Sequence, residues 1–420
     1  MGNASAPAVL AHLPTGRGVM VVQDGARTIV GVAPEHVLVA SGEDAFRALD
    51  QASRGGFWSG FIAYDLGRAV EHVVARTSEN VDGGRQVPDL PDIALARYDA
   101  RLVLEADAPP RVEGDGATAE LLAQAAWRAQ RGAGPVRAPD LGPWESSLDR
   151  DAHAAAVAEI LGLLAAGECY QVNLTRRLTA PQAADPRALY RALATFNPAP
   201  HLALCSFGPA LEGVAVVSAS PELFLRIDGR AVETKPIKGT DTDPVRLAGS
   251  AKDRAENVMI VDLARNDLGR VCEYGSVTVP ALCTVEAHPG LHHLVSTVRG
   301  RLRPDVGLAD VVRATFPPAS VTGAPKPRVM QAIEDLEPVR RGVYCGAVGW
   351  IDGDRGCAEL AVAIRTFTIA GGLTQLGIGG GIIADSRAEA EWDETELKGA
   401  RLLLAASQIA GSENATGSGL

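Results

Sequence analysis

Ser218-Ala219-Ser220-Pro221-Glu222-Leu223-Phe224-Leu225-Arg226-Ile227-Asp228-Gly229-Arg230-Ala231-Val232-Glu233-Thr234-Lys235-Pro236-Ile237-Lys238-Gly239-Thr240 is the stretch on which the reading of the fold turns. Asp228-Gly229 between two apolar-rich runs is a two-residue hairpin signal, because a type I′ turn needs positive φ at both central positions. That turn sets Ile227 opposite Arg230 and, counting outward, Glu222 opposite Lys235. Pro236 has no N–H to give a ladder, so pairing is expected to stop there and Lys238-Gly239-Thr240 to form a loop. A carboxylate and an amine then share the open end of one hairpin. An exposed hairpin with ordinary surface charges satisfies the same pattern.

Working outward, a helix over Ala251–Arg265 puts Glu256, Ile260 and Leu263 on one face at i, i+4, i+7. A carboxylate in an apolar stripe is costly unless it is paired or metal-bound; the alternative is a rim Glu beside Lys252 or Arg254. A second helix, about Arg387–Ser407, aligns Glu391, Glu394 and Lys398, although Glu394 and Lys398 at i, i+4 are also an ordinary surface pair. Before it, Gly377-Ile378-Gly379-Gly380-Gly381-Ile382 offers bare backbone amides to an anion. Ile382 occupies the last glycine's place in G-x-G-x-x-G, so no dinucleotide fingerprint exists, and no phosphate-binding G-x-x-x-x-G-K-[ST] occurs. The turn-dense Phe316–Lys326 loop brings hydroxyls and a cation that suit an anionic ligand, or it is a structural connector. His292-His293 lacks a histidine partner at i+4, so the expectation is one core or rim histidine and no zinc.

The whole chain has 420 residues, 40 Lys plus Arg against 51 Asp plus Glu, and a formal charge of −11. Such a chain has no global basic field for nucleic acid. Its six cysteines form no C-x-x-C pair and read as reduced cytosolic thiols. No apolar run has the length of a spanning helix, no basic residue before Arg17 heads a signal peptide, and Ala6 spoils a myristoylation motif. The expectation is a cytoplasmic globular protein with neither nucleic acid nor membrane as partner.

Short strands are read at Gly18–Val22, Thr28–Val32 and Gly56–Tyr64 within residues 1–104. Residues 105–144, rich in Ala, Pro and Gly, form a linker region with one helix near Thr118–Arg131. Val157, Ile160, Leu161 and Leu164 make a helical stripe that Gly167 ends at C′. From there to residue 410 strands and helices mix without a βαβ rhythm, which favours an α+β fold over a doubly wound sheet. The Gly- and Ser-rich tail 411–420 is expected to be disordered.

Together these segments resemble the chorismate-utilising enzymes: anthranilate synthase component I, aminodeoxychorismate synthase component I, and the isochorismate and salicylate synthases. The resemblance is dense from 145 to 405, through Gly167-Glu168-Cys169-Tyr170-Gln171-Val172-Asn173-Leu174-Thr175, Ser220-Pro221-Glu222, Pro236-Ile237-Lys238-Gly239-Thr240, Val261-Asp262-Leu263-Ala264-Arg265-Asn266-Asp267-Leu268-Gly269-Arg270, Thr322-Gly323-Ala324-Pro325-Lys326 and Gly379-Gly380-Gly381-Ile382. It is thinner before residue 145, resting on Gly60-Phe61-Ile62-Ala63-Tyr64-Asp65-Leu66-Gly67-Arg68, and the family's motif for inhibitory tryptophan is not found there. The fold it implies is a large composite of two β-sheets packed as a sandwich and flanked by helices. Residues 1–104 then form its N-terminal β-rich part and 145–410 its chorismate-binding catalytic part.

The resemblance also implies roles. Glu256 and Glu394, with Glu391 beside them, hold Mg²⁺ against the ring carboxylate of chorismate, a hard cation on oxygen ligands. Tyr344, Arg365 and the amides around Gly379 and Gly381 grip the enolpyruvyl carboxylate, where Arg can bind as a fork. Gln171, Gly239, Thr240, Ser320, His293 and Lys398 complete the surroundings, with His293 counted among the catalytic groups. The water-using synthases carry a Lys base where Gln171 stands, and an amide cannot deprotonate water. Anthranilate synthases usually have Ala where Lys238 stands, whereas aminodeoxychorismate synthases carry this Lys as a nucleophile. The expected reaction is therefore amination of chorismate to 4-amino-4-deoxychorismate, the precursor of 4-aminobenzoate and folate, with Glu222 as general acid and Lys238 as nucleophile. The alternatives are anthranilate formation and, less favoured, a non-catalytic chorismate-binding subunit. No Cys-His-Glu glutaminase unit is seen, so ammonia is expected from glutamine through a separate amidotransferase subunit.

Overall fold

The computed structural model describes residues 4–407 except 26, 72, 75–80, 83–84, 87–88, 132–140 and 289–290, with the backbone alone at 81–82 and 85–86. The expected disorder of 411–420 lies outside the described residues.

Two large antiparallel sheets organise these residues, one of eleven strands and one of ten. In the first, the order runs from Glu145–Ser146 through Gln171–Ala180, Leu373–Ile382, Thr366–Ala370, Ala215–Ser220, His201–Ser206 and Val19–Asp24 to Arg27–Val32, Arg101–Glu105 and Ala108–Glu113. In the second, Ile237–Asp241 is followed by Leu291–Arg301, Ala231–Lys235, Leu223–Asp228, Cys357–Val362, Ala347–Asp352, Phe57–Ile62, Ile93–Tyr98 and His36–Ala40. The α+β reading and the two-sheet sandwich are what the structure contains.

Apolar residues alternate along the strands, so each sheet has two faces to bury. Met20, Val22, Phe61, Cys205, Val216, Val348 and Ala361 come from both sheets and form one inner cluster. On the far side of the first sheet, Val21, Leu204, Val217 and Leu376 pack on helices that include Gly116–Ala129 and Pro186–Phe196. On the far side of the second, Leu225, Leu360 and Val298 pack on Glu43–Ser53, Ala251–Gly269 and Leu308–Thr315. The result is helix, sheet, sheet, helix. None of the described helices is long and apolar enough to cross a membrane.

The expected strands are present as Val19–Asp24, Arg27–Val32 and Phe57–Ile62, the last followed by a single turn at Tyr64–Leu66. The helix near Thr118–Arg131 spans Gly116–Ala129. The stripe helix runs Arg150–Ala165, capped by the Asp149 carboxylate accepting from Ala152 N, with Val157 and Ile160 fully buried. Gly167 has φ +74°, as the C′ position demands.

The deciding hairpin forms with a different turn. Asp228 faces Ala231, so the loop residues are Gly229 and Arg230, and only Gly229 takes positive φ. Glycine at the first loop position is the type II′ arrangement, which spares Asp228 the left-handed conformation. A bulge between Leu223 and Arg226 then sets Leu223, not Glu222, opposite Lys235. Nor is 238–240 a loop: Ile237–Asp241 is a strand, and both it and Ala231–Lys235 pair along Leu291–Arg301. Pro236 sits at the break, offering no N–H but accepting from Ser296 N, so the ladder resumes beyond it.

Candidate active site

The resumed strand carries Lys238 back into the protein beside Glu222. Glu222 lies just ahead of Leu223–Asp228 and is 4% exposed. Burial pushes its carboxyl up to about 7, against the opposing pull of Ser320, Lys238 and Arg365. Burial likewise holds the Lys238 amine below its ordinary value, although Glu256 and Glu222 favour its charged form. An acid and an amine that each stabilise the other's charge, yet are both driven toward neutrality by desolvation, suit proton donation and nucleophilic attack near neutral pH.

Gly239, with φ +85°, forms the bulge between Ile237 and Thr240; a Cβ there would press on the Asp253 side chain at 2.8 Å. Beyond the bulge Thr240 faces His293, with Thr240 Oγ1 and His293 Nδ1 2.8 Å apart. His293 is 1% exposed, and its Nε2 has no partner within the protein. Burial first, then the charge of Arg365, lowers its pKa to about 3, so the ring is neutral at physiological pH. The core-or-rim expectation for the histidine pair therefore holds for His293, which is buried.

The opposite wall comes from the neighbouring strands Gln171–Ala180 and Leu373–Ile382, where Asn173 faces Gly381 and Thr175 faces Gly379. The glycine run is thus part of a strand and not a free loop. Its bareness makes room: a Cβ at Gly377 would collide with the Tyr344 ring, and one at Gly381 with the Gln171 amide. Gln171 is fully buried and neither amide atom has a partner. Ser320, 7% exposed in the turn Ala319–Val321, also has a hydroxyl without a well-formed hydrogen bond. Unsatisfied buried donors and acceptors are costly unless a ligand meets them. Arg365, at positive φ, holds Ala219 N through its carbonyl, and burial with nearby Arg401 lowers its pKa.

The carboxylates expected around a metal come from two helices. Glu391 and Glu394 of Ala388–Ser407 converge on Gly380, where a Cβ would lie 3.4 Å from Glu391 Oε2 and 3.7 Å from Glu394 Oε1. Glu391 accepts from Ser386 Oγ at 2.6 Å. Lys398 Nζ lies 2.6 Å from Glu394 Oε1 and 3.0 Å from Gly379 O, placing an ammonium against the same carboxylate. Burial raises the Glu394 pKa, but Lys398 outweighs it and the carboxyl ends below its usual range. Glu256, on Ala251–Gly269, is raised by burial in spite of Lys238 and Lys252, with Glu394 adding repulsion. Among the described residues no three His, Cys, Asp or Glu side chains stand close enough to enclose an ion as they are. The donors nevertheless fit a hard divalent cation, since all three are carboxylates and two of them, Glu391 and Glu394, meet over a glycine that leaves space.

Sequence reasoning missed the support beneath this wall. Arg341 donates to Glu337 Oε1 and Oε2 at 2.6 and 2.9 Å, to Val321 O at 2.9 Å and to Asn173 O at 2.6 Å, while Glu337 Oε1 accepts from Thr175 N at 2.9 Å. The only signal was a Glu and an Arg four apart, and the neighbouring Glu334, Asp335 and Arg340 make that pair look like ordinary surface charge. Of the two readings of the Phe316–Lys326 loop, ligand cation or structural connector, Lys326 takes the second, bonding Asp267 Oδ2 and Thr315 O, both at 3.0 Å.

The sandwich, the paired acid and amine, and the glycine-lined wall with its waiting polar atoms belong to one kind of enzyme: the chain matches the chorismate binding enzyme family over residues 14–404 and belongs to it. Its relatives include aminodeoxychorismate synthase component 1 of Klebsiella aerogenes, 40% identical over 356 residues that cover 82% of this chain and 76% of that one. Anthranilate synthase component 1 of Thermus thermophilus is 38% identical over 371 residues, covering 84% and 77%. Among solved structures, anthranilate synthase component I from Streptococcus pneumoniae superposes with a TM-score of 0.77 over 90% of this chain and 92% of that one, at 26% identity.

Proposed function

We propose that this chain aminates chorismate at C4, the reaction of an aminodeoxychorismate synthase component I, with ammonia delivered from glutamine by a separate amidotransferase subunit. The observation that carries the reading is Lys238, half-buried beside Glu222 with its amine pushed toward the neutral form. Neutral Lys238 attacks C2 of the ring while protonated Glu222 gives its proton to the departing C4 hydroxyl, which leaves as water. Ammonia then adds at C4, the double bond shifts back and Lys238 departs as the free amine. The new C4 ammonium returns a proton to Glu222, so chorismate plus ammonia gives aminodeoxychorismate plus water, with the enolpyruvyl group retained.

Glu256, Glu391 and Glu394 would hold Mg²⁺, which supplies charge neutralisation for the ring carboxylate and draws electrons from the ring. Tyr344, Arg365 and the Gly379–Gly381 backbone orient the enolpyruvyl carboxylate. Ser320, Gln171 and His293 Nε2 offer the polar contacts that the protein leaves unmade. An amide at 171 keeps water from acting as nucleophile, which separates this site from isochorismate formation. The six unpaired cysteines suit a reducing compartment, and we place the reaction in the cytoplasm.

Purified chain incubated with chorismate, Mg²⁺ and an ammonium salt tests this reading. 4-Amino-4-deoxychorismate, converted to 4-aminobenzoate only when a lyase is added, is the expected product. Anthranilate with release of pyruvate would overturn it in favour of the second reading, that of the anthranilate synthase relatives.

A further inference from the structure

Every second residue of the strand Gln171–Ala180 turns outward to the covering helices, and that row reads Val172, Leu174, Arg176, Leu178, Ala180. All five are buried, Arg176 with only 3% exposure. A guanidinium set into an apolar row is costly unless its donors are met. Its partners show what this charge holds in place.

Most of them belong to one flank of the helix Ala388–Ser407. Arg176 Nε donates to Thr395 Oγ1 at 3.0 Å, Nη2 donates to Glu396, and the guanidinium lies 4.2 Å from the centre of the Trp392 ring. Nη1 donates to Ser146 Oγ at 3.0 Å, which ties the same group to the neighbouring edge strand. The ring of His153, on Arg150–Ala165, meets Trp392 edge-on with centroids 5.4 Å apart. At ~100° per residue, Trp392, Thr395 and Glu396 lie roughly a third of a turn around the axis from Glu391, Glu394 and Lys398. The helix runs close to the sheet here, since a Cβ at Gly399 would lie 3.2 Å from Ile378 Cδ1 and 3.5 Å from Leu178 Cδ1. Ile378 is in turn the ladder partner of Arg176. That packing sets the distance between helix and sheet and leaves rotation about the helix axis as the movement that would carry Glu391 and Glu394 off Gly380.

We propose that Arg176 is a positioning residue for the metal carboxylates: by gripping Trp392, Thr395 and Glu396 it fixes the rotation of Ala388–Ser407 that points Glu391 and Glu394 over Gly380. The proposal rests on the reading of those two carboxylates as ligands of a divalent cation. Arg176 itself stands on the outer face of the strand and acts only through the helix. Its planar fork reaches three partners and a ring at once, which a lysine ammonium cannot do and a methionine of similar length does not attempt.

The test compares full-length Arg176→Met, Arg176→Lys and Thr395→Val with Arg328→Met, which breaks a surface pair with Glu168 far from this helix in sequence. Mn²⁺ serves as the probe, and its binding is read by electron paramagnetic resonance with chorismate present and ammonia withheld. The Kd for Mn²⁺ should rise about tenfold in Arg176→Met, by less in Arg176→Lys and Thr395→Val, and stay at the wild-type value in Arg328→Met. In assays with ammonium salts the Mg²⁺ concentration for half-maximal turnover should move in the same order, while kcat at saturating Mg²⁺ stays within about threefold of wild type. An unchanged Mn²⁺ affinity in Arg176→Met overturns the proposal. So does a loss that saturating Mg²⁺ leaves unrepaired, which marks a general loosening of the fold. Should Arg176→Met fail to fold, Arg176→Lys and Thr395→Val make the same comparison, and wild-type Mn²⁺ affinity in both overturns the proposal. A wild-type chain that binds no Mn²⁺ overturns the metal reading instead.

Discussion

Arg341 and Glu337 form a doubly hydrogen-bonded ion pair whose side chains are only 2% and 4% exposed. Together they tie the turn bearing Ser320 to the strand bearing Gln171, through Val321 O, Asn173 O and Thr175 N. A buried charge that loses its partner is left without water or counter-charge. Glu337→Ala should therefore cost ~3–5 kcal/mol in urea unfolding. Glu337→Leu combined with Arg341→Met should cost distinctly less than Glu337→Ala alone, and a double-mutant cycle reads the difference.

Glu222 must be protonated to release the C4 hydroxyl, and its folded pKa of about 7 lies above the unfolded carboxyl value. Turnover at constant free ammonia should therefore fall as pH rises through about 7. In Glu222→Gln the residual rate should be at least ~10²-fold lower and should lack that limb. The same shift has a stability sign: the neutral form favoured by burial is fully populated at acid pH, so this contribution is lost as pH rises through about 7.

Turnover should require Mg²⁺, and Glu256→Gln or Glu394→Gln should each lower it ~10²-fold or more with circular dichroism unchanged. Full activity in excess chelator would remove these carboxylates from a metal role.

Lys238→Ala should greatly slow formation of aminodeoxychorismate. Wild-type enzyme quenched without ammonia should gain the mass of a chorismate-derived adduct that maps to Lys238. Because burial lowers this amine's pKa, the rising limb of the pH profile should lie below the ordinary lysine value. Wild-type rates in Lys238→Ala, with no adduct trapped, would leave the lysine as a binding group only.

Much of this was legible in the residues. The stripe at Val157, Ile160 and Leu164 specified its helix, and Gly167 its end, because period and cap are local properties. Glu391 and Glu394 were assigned a common face from spacing, and both do converge on Gly380. The hairpin register was not legible, since Gly229 serves a type I′ turn as its second residue and a type II′ turn as its first. Pro236 misled for a related reason: lost local pairing was restored by a distant strand, Leu291–Arg301, which no nearby residue announces. The Arg341–Glu337 pair escaped because its partners, Asn173, Thr175 and Val321, are backbone groups brought close only by the finished sheet.

The strand Phe57–Ile62 lies between Ile93–Tyr98 and Ala347–Asp352, and Gln171–Ala180 takes Leu373–Ile382 as its neighbour. Neither sheet can close until nearly the whole chain has left the ribosome, so early strands emerge with unpaired edges and wait for partners synthesised last. Long-range pairing of this kind makes folding slow and leaves the nascent chain open to aggregation. Refolding from urea should accordingly be slow for a protein of this size, and the yield of native enzyme should depend on chaperones during synthesis more than on the stability of the finished sandwich.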